Sequence, residues 1–469
     1  MVADVADMRS RLFQSDGFRD SLCELQIVCR RVSVVLGGAM ERLGQDAEER
    51  PYAVDLFAGA GGLSLGFEEA GFDVAAAVEF DPVHAAVHMY NFPQTTMFCD
   101  DIRRVSAKEI REKSRIGSSD VAVVFGGPPC QGISLMGKRD IEDPRNTLLM
   151  EFARIVGEIR PRCFVMENVA GLMVGEHRIL LERLIEQLQS FGYKVLKPQV
   201  LQAADYGVPQ SRKRLFLMGS RSDVDIDLAY PAPTCTPRKL DGGDVEGPLP
   251  VGPSVGDALR DLPNIDDYAE LLEGDSVKVR LGKPTGYSEK LRDCSSDPDN
   301  FAITREFDPS FLTASTRTQH TAKSVSRFEK TIPGTIEPVS RFLRLHPNGI
   351  SNTLRAGTAS DRGAYTAPRP IHPKYNRVIS VREAARLHSY PDWFRFHTTK
   401  WNGFREVGNS VPVFLGRAVA SCVVKALGVN PSKCRKMISL GDEALLTMTQ
   451  RQAEIFFGIE ERVIPQRRR

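Results

Sequence analysis

The feature that most constrains the fold of this chain is an alternation of short apolar runs and helical patterns between residues 52 and 219. Four helical patterns lie between the apolar runs, at 63–70, 82–90, 147–159 and 179–191. Alternation of this kind predicts an α/β fold with a doubly wound, mostly parallel sheet. The runs with the length and apolar character of buried strands are 52–57, 74–79, 121–125, 163–166 and 215–218.

The alternation ends near residue 220, and this divides the chain. A stretch rich in Pro, Gly, Asp and Thr follows, which predicts a second, smaller lobe. A helical pattern returns at Ser380, a plausible N-cap with Glu383 as its capping-box partner, and a second helix follows Pro412. We therefore divide the chain into an extension at 1–50, a main domain at 51–220, the second lobe at 221–377, a return at 378–428 and an extension at 429–469.

Composition limits the possible partners and compartments. The net charge is only +2, but residues 301–377 carry twelve Lys and Arg against five Asp and Glu, so a polyanion would meet this part of the second lobe. Nine cysteines without a CxxC pair indicate reduced thiols and no metal site. No apolar run has the length of a membrane span, so we expect a cytoplasmic protein without a membrane partner.

A glycine-rich turn joins the first strand to the first helix in DLFAGAGGLSLGF. Gly59, Gly61 and Gly62 allow a ligand to approach the backbone closely. Glu79 ends the next strand about twenty residues later, where a carboxylate accepts hydrogen bonds from a ribose diol. The pattern indicates a nucleotide-cofactor site; the alternative is a purely structural turn.

A cysteine follows the third apolar run in VAVVFGGPPCQG. Cys130 would lie at the edge of a parallel sheet where such folds bind ligands, and Pro128 and Pro129 stiffen its loop. The alternative for a lone cysteine is a small buried hydrophobic residue. The Gly-Gly-Pro-Pro setting favours a nucleophile.

An acid follows at the same edge of the predicted sheet, and two arginines come directly ahead of the last strand. FVMENV supplies Glu167 and Asn168, and PQSRKRLF supplies Arg212 and Arg214, whose alternation predicts side chains on one side of a strand. A salt-bridged carboxylate and solvated arginines are the alternatives. Together with the thiol, these groups suit an anionic or carbonyl-bearing substrate.

The motifs DLFAGAGG, PPCQG, ENV and QSRKR, in this order, together with RLHSYPDWF and VGNSVP, resemble those of the DNA (cytosine-5) methyltransferase family of bacterial restriction–modification systems, over residues 52–425. The resemblance implies a Rossmann-like catalytic domain that binds S-adenosylmethionine, beginning at 51–220 and completed by 378–428. It also implies that 221–377 is a target-recognition domain.

The resemblance assigns roles by position. Cys130 would be the nucleophile, Glu167 would hold the N3 and N4 edge of cytosine, and Arg214, helped by Arg212, its O2. The motifs depart from the family pattern at Cys99 and Asp100, where a glycine is usual before Asp101, and at His388, where glutamine is common. The residues that would contact S-adenosylmethionine are Phe57, Gly59, Gly61, Leu63, Glu79, Asp101, Pro128, Leu148, Asn409, Ser410 and Val411.

In the second lobe, SNTLRAGT resembles a short Thr-Leu element in which Thr353 braces the backbone of a flipped nucleotide. A β-turn threonine is the alternative. Several arginines could contact phosphate or guanine, and for each a solvated surface position is the alternative. They are Arg317, Arg341, Arg344, Arg355 and Arg362.

These assignments imply a reaction and its partners. Cys130 would add to C6 of a cytosine flipped out of double-stranded DNA, and C5 would then take the methyl group. The enzyme would be a monomer that protects DNA from a partner restriction endonuclease. Two rivals are an RNA methyltransferase, disfavoured by the large second lobe, and a silent DNA-binding regulator, disfavoured by the joint presence of Cys130 and Glu167.

Overall fold

A computed structural model describes residues 50–129, 147–175, 177–357, 369–434 and 436–460. Cys130 and Arg362, both singled out from the sequence, lie outside the described residues. So do residues 1–49 and 461–469 of the two extensions.

An eight-stranded sheet forms the centre of the protein, in the order β3-β2-β1-β4-β5-β8-β6, with β7 also paired to β8. The first five strands of this order are parallel, and β8 runs antiparallel to β5, β6 and β7. The prediction of a mostly parallel sheet is confirmed. The strands are β1 (Tyr52–Leu56), β2 (Asp73–Glu79), β3 (Thr96–Cys99), β4 (Val123–Gly126), β5 (Cys163–Asn168), β6 (Tyr193–Val195), β7 (Gln199–Gln202) and β8 (Lys213–Arg221).

Helices cover both faces of this sheet, and each face has its own hydrophobic core. One core includes Phe67, Phe125 and Phe216, and the other includes Phe152 and Phe164. A sheet buried on both faces explains why its strands appear in the sequence as continuous apolar runs. The helices of this part are α1 (Gly62–Glu69), α2 (Pro82–Asn91), α3 (Ala107–Lys113), α4 (Thr147–Ile159) and α5 (His177–Ser190).

All five strands and all four helices predicted for this part are present, with ends shifted by a few residues. Strands β3, β6 and β7 and helix α3 were not predicted. The three strands have only three or four residues each and include exposed or half-buried positions, so they lack a continuous apolar run. Helix α3 is short and largely charged, and its start is fixed by the Ser106 side chain, which accepts from the Glu109 N–H.

The rest of the described chain contains shorter elements. The capping box predicted at Ser380 and Glu383 is confirmed, and so is the helix that follows Pro412. These elements are α6 (Val255–Leu259), β9 (Val277–Lys278), α7 (Gly286–Arg292), β10 (Thr304–Glu306), β11 (Phe311–Leu312), α8 (Ala322–Lys330), α9 (Val381–Leu387), α10 (Lys400–Asn409), α11 (Val413–Ala426), β12 (Met437–Ser439) and α12 (Gln450–Phe456).

Two carboxylates at the end of α1 bind part of the predicted second lobe. Glu68 forms a buried ion pair with Arg305, and Glu69 accepts from the Asn300 side chain at 3.2 Å. Arg417 of α11 lies 3.3 Å from Glu69. Residues near 300 therefore pack on the main domain, and the domain boundaries given above remain a prediction.

The C-terminal extension, which carries no sequence motif, packs on the main domain. Strand β12 pairs in parallel with β10, and Leu445 and Leu446 share a small core with Val87 and Tyr90 of α2. This segment therefore covers a face of α2 that solvent would otherwise reach.

The stretch Lys400–Ala426, which comprises α10 and α11, is long and apolar enough to cross a membrane by length and composition alone. However, 67% of its most apolar window is buried inside the protein. We therefore assign it to the core.

Helices α1 and α11 cross at two glycines. A Cβ atom on Gly66 would lie 2.7 Å from the backbone nitrogen of Arg417 and 2.8 Å from the carbonyl carbon of Gly416. Since both contacts are backbone atoms, no side-chain rotation relieves them. The crossing brings α11, and with it the VGNSVP segment, against the glycine-rich turn.

We predict that Gly66→Ala lowers the free energy of unfolding by about 1–3 kcal/mol, because the added methyl group forces the two helices apart. Chemical denaturation measures the effect. Gly286→Ala is the matched control, since no described atom lies within 4 Å of its added Cβ. Equal stability of the two variants would contradict the close crossing.

Candidate active site

The glycine-rich turn after β1 has an unusual backbone. Phe57, Gly59 and Gly61 all have positive φ, at 63°, 55° and 100°. A Cβ on Gly61 would lie 2.3 Å from the ring of Phe92, whereas no described atom lies within 4 Å of a Cβ on Gly59. The turn is therefore closely packed against Phe92 at Gly61 and open at Gly59, as a ligand-binding turn requires.

Glu79 joins the end of β2 to this turn. Its carboxylate accepts from the Gly59 N–H at 2.7 Å and from the Asp81 N–H at 2.8 Å. Burial raises the pKa of Glu79 to about 7. The next residue, Phe80, is 46% exposed, which is high for a phenylalanine. Glu79 was predicted from the sequence, but Phe80 was not, although an aromatic residue directly follows the acid.

A buried polar network that was not predicted from the sequence lies next to the turn. Ser64 donates to the Asp55 carboxyl at 2.5 Å and lies 3.1 Å from Nε2 of His88. Burial raises the pKa of Asp55 well above its ordinary value and lowers that of His88 to about 3. Both directions favour uncharged side chains. The available signal was a charged residue, Asp55, within an otherwise apolar strand.

The VGNSVP segment closes over the same turn. A Cβ on Gly62 would lie 2.4 Å from the Tyr390 hydroxyl, 2.8 Å from Cβ of Ser410 and 2.9 Å from the Val411 carbonyl oxygen. Asn409 is exposed, Ser410 half-buried and Val411 buried. The structure thus brings together two motifs separated by about 350 residues in the sequence.

Four further residues predicted to contact the cofactor lie near these elements or their neighbours. Leu63 is buried on α1, Leu148 is half-buried at the start of α4, and buried Pro128 follows β4. Asp101 follows β3, and its carboxylate is bound by the Arg103 side chain, which lowers the pKa of Asp101.

Two of the catalytic candidates, Glu167 and Arg214, meet at the carboxyl end of β5. Glu167 is 9% exposed, and Arg214 Nε lies 2.8 Å from its carboxylate. Burial raises the pKa of Glu167 in spite of Arg214 and Arg212, both of which lower it. A Cβ on Gly127 would lie 2.9 Å from Oε2 of Glu167, so the loop that leads to Cys130 begins beside this acid. Asn168 donates to the Pro128 carbonyl at 3.0 Å and holds the same loop.

Arg212 occupies a different environment from Arg214. It is 1% exposed, and its guanidinium donates to three backbone carbonyls, at 2.7 Å to Leu354, 2.7 Å to Gly408 and 2.8 Å to Ser410. These bonds connect the QSRKR, SNTLRAGT and VGNSVP motifs. The geometry favours a positioning role for Arg212 over direct contact with a substrate.

His388, which departs from the family pattern, links the same segments. Its Nδ1 lies 2.9 Å from the Gln210 amide nitrogen, and its Nε2 lies 3.0 Å from the Ser410 carbonyl. Burial lowers the pKa of His388 well below its ordinary value. A neutral ring that accepts at Nδ1 and donates at Nε2 satisfies both neighbours. The backbone N–H of Leu354 donates to the Gln210 side chain at 3.1 Å.

The described residues expected to meet DNA are either exposed to solvent or engaged within the protein. Arg341 and Arg355 are exposed. Arg344 is 7% exposed and donates to the carbonyls of Phe328 and Thr331, so we now expect it to hold the lobe together.

Two other residues of this set are engaged within the protein. Arg317 pairs with Asp266 at 3.3 Å. Thr353 donates to the Ser211 carbonyl at 2.6 Å, which places it beside the QSRKR motif.

Comparison with known proteins identifies the family of the chain. The family model for C-5 cytosine-specific DNA methylases matches residues 52–425. The chain belongs to this family. It is therefore a DNA (cytosine-5) methyltransferase, and the resemblance stated from the motifs is confirmed. The methyl group comes from S-adenosylmethionine, as in the family.

Individual relatives agree with this assignment. The chain is 51% identical to the type II methyltransferase M.XorII of Xanthomonas oryzae pv. oryzae over 421 residues, which are 90% of this chain and 95% of the relative. It is 30% identical to M.AgeI of Thalassovita gelatinovora, over 80% of this chain and 99% of the relative. A solved E. coli prophage protein, described as a DNA modification methyltransferase, superposes with a TM-score of 0.65 at 31% identity, covering 81% of this chain and 99% of that protein.

The described residues fit the nucleoside end of S-adenosylmethionine. The space beside Gly59 is open, the Glu79 carboxylate can accept from ribose hydroxyl groups, and Phe80 offers an exposed ring for a purine. Because Glu79 titrates near neutral pH, binding of the methyl donor through this carboxylate would depend on pH.

We predict that the methyltransferase loses affinity for S-adenosylmethionine as the pH falls through the Glu79 pKa of about 7. The ribose hydroxyl groups would donate to the ionised carboxylate, so the dissociation constant should rise by up to about tenfold for each pH unit below that value. Calorimetric titration between pH 5 and 8, roughly one unit or more on each side of this pKa, measures it. Glu79→Gln should bind more weakly and with little pH dependence, and equal pH dependence of the two proteins would contradict the role of Glu79.

Proposed function

We propose that this enzyme methylates C5 of a flipped-out cytosine in a specific double-stranded DNA sequence, through a covalent bond between Cys130 and C6. The observation that carries the proposal is the buried pair of Glu167 and Arg214, which lies beside the start of the loop that leads to Cys130. A nucleophile, an acid of raised pKa and a guanidinium are the groups that cytosine activation requires.

Glu167 supplies the proton or strong hydrogen bond at N3. Cytosine C5 is a weak nucleophile until a group adds at C6, and this addition is easier when N3 is protonated. Only a protonated carboxyl can donate at N3. Burial raises the pKa of Glu167 in spite of two nearby guanidinium groups, so this carboxyl takes up a proton more readily than an exposed one in the same position.

The Cys130 thiolate adds to C6, N3 takes the proton of Glu167, and C5 becomes enamine-like. C5 then takes the methyl group as the S–CH3 bond of the donor breaks, and the electron pair of that bond stays on the sulfur of the product, S-adenosylhomocysteine. A base then removes the C5 proton, the C6–S bond breaks, and the electron pair returns to the sulfur as N3 gives back its proton. We propose water as the base, because the sequence suggests no side chain for this step. Arg214 would contact O2.

The methyl donor, when bound, supplies an electrophilic methyl group to C5. The residues that would hold it are those of the glycine-rich turn, Glu79, Phe80 and the segment 409–411. Asp101 would bind the adenine amine after releasing Arg103. Leu148 and Pro128 would line the pocket.

Access to C6 requires the cytosine to leave the base stack, at a cost of a few kcal/mol. Contacts with the DNA backbone must offset this cost. Exposed Arg355 and Arg341 are available for such contacts, and Thr353, held against Ser211, would brace the flipped nucleotide.

The type II relatives support a modification role, in which methylation protects DNA from a partner restriction endonuclease. We propose that the enzyme acts in the cytoplasm on the bacterial nucleoid, as a monomer. An RNA substrate would make the region 221–377 superfluous for recognition. A silent DNA-binding regulator would not need a buried acid beside the nucleophile loop.

We predict that duplex DNA carrying 5-fluorocytosine traps the enzyme in the presence of labelled S-adenosylmethionine, because the C5 fluorine cannot leave as a proton does. A denaturing gel should show a labelled adduct. Cys130→Ser should abolish the adduct, whereas Cys434→Ser, at a half-buried thiol in the C-terminal extension, should leave it unchanged. Absence of the adduct on DNA of diverse sequence, with the methyl donor bound, would contradict the proposal and turn attention to RNA.

A further inference from the structure

A β-hairpin in the second lobe, which we call the recognition hairpin (residues 332–344), is held by backbone hydrogen bonds. The N–H of Gly334 donates to the carbonyl of Arg344 at 2.7 Å, and the N–H of Arg344 donates to the carbonyl of Thr335 at 2.9 Å. Nearer the tip, the N–H of Glu337 donates to the carbonyl of Phe342 at 2.8 Å. The hairpin is therefore a preformed element.

The tip of the recognition hairpin is also fixed. The Glu337 side chain, 1% exposed, accepts from the N–H of Val339 at 3.2 Å and of Ser340 at 2.6 Å, and lies 3.3 Å from Arg327. Arg341 is exposed and has a positive φ of 62°. A strained arginine on a rigid tip is typical of a functional position.

The inner side of the hairpin anchors it to the lobe. Phe342 packs on Phe328, Ile371 and Val378. The guanidinium of Arg344 binds the end of α8 through the Phe328 carbonyl. These contacts fix the hairpin relative to α8.

The outer side carries large aliphatic residues that no described part of the chain covers. Ile332, Ile336 and Val339 are 69%, 60% and 68% exposed. Three such side chains within eight residues form an apolar surface that water solvates poorly, which indicates a contact surface.

An open cleft of about 370 Å³ lies beside this hairpin. Gly334, at the base of the hairpin, lines it together with Ser211 and Gln202. Ser211 precedes Arg212, and Gln202 pairs in the sheet with Lys213, the neighbour of Arg214. Two basic residues, Arg238 and Lys239, and one acid, Asp241, also line the cleft. A polyanion that follows this cleft toward Arg214 would pass the hairpin.

Charge decides between partners for the apolar surface. Residues 322–344 carry five Lys and Arg against two Asp and Glu, and one of the two acids is the buried Glu337. A second copy of this basic segment would repel the first. Duplex DNA attracts it, and the major groove admits a two-stranded β-ribbon and displays thymine methyl groups.

We propose that the recognition hairpin enters the major groove of the DNA substrate and that Ile336 and Val339 contact the C5-methyl groups of thymines in the recognised sequence. Arg341 contacts a base edge or phosphate beside them. This inference rests on the proposed function and deepens it, because it names residues that determine specificity and one base that they select.

The test compares plasmid DNA copied with thymidine triphosphate and the same DNA copied with deoxyuridine triphosphate, which lacks the methyl group. The wild-type enzyme should lose about fourfold in kcat/KM for each methyl contact removed, and so about tenfold or more for two. The double variant Ile336→Thr/Val339→Thr should be slower on thymine DNA and insensitive to the change to uracil. Ile179→Thr, at a 47% exposed site on α5, is the matched control and should behave like the wild type.

Equal sensitivity to uracil in the wild type and the double variant would overturn the proposal, and so would an insensitive wild type. The trapping reaction with 5-fluorocytosine separates this failure from failure of the proposed function. If the adduct forms while uracil has no effect, only the role of the hairpin is wrong. If no adduct forms, the proposed function itself fails.

Discussion

The catalytic end of this protein depends on the hydrogen bonds of one buried guanidinium. Arg212 donates to the carbonyls of Leu354, Gly408 and Ser410, from three parts of the chain that are far apart in sequence. Burying a charged group costs free energy unless the group is hydrogen-bonded. Burial disfavours the charged form of Arg212 and therefore lowers its pKa. Loss of any one of these carbonyls would remove part of the compensation for the buried charge. The arrangement therefore favours one assembled geometry over loosened alternatives.

This assembly explains how one site serves two reactants. Gly408 and Ser410 belong to the segment that closes over Gly62, where the methyl donor would lie. Leu354 follows Thr353, where the flipped nucleotide would be braced. Both sides are thus tied to the strand that presents Arg214 to Glu167. Burial raises the pKa of Glu167 even beside these guanidinium groups.

Much of this arrangement could be predicted from the sequence. Buried strands appear as continuous apolar runs, so the sheet and its carboxyl edge were predictable, and Glu167 and Glu79 follow from their positions at strand ends. The role of Arg212 was not predictable in this way. Strand alternation placed it on the same side as Arg214, but its environment depends on carbonyls that lie more than a hundred residues away.

Other features depended on tertiary contacts without a local signal. Arg344 has the positive charge expected of a DNA-binding residue. Its burial results from the packing against α8, which no local sequence pattern indicates. The pairing of Asp55 with Ser64, and the packing of the C-terminal extension on α2, are likewise long-range. The partition into domains and the roles of Cys130 and the DNA-binding residues remain predictions.

Hydrogen exchange in an Arg212→Met variant tests the central claim most directly. The account predicts that the amides of segments 351–357 and 405–411 exchange faster together, while the strands of the sheet keep their protection. Arg214→Met, which removes the partner of Glu167 but none of the three carbonyl bonds, should leave both segments protected. Wild-type protection of both segments in Arg212→Met would show that this guanidinium does not hold the catalytic end together.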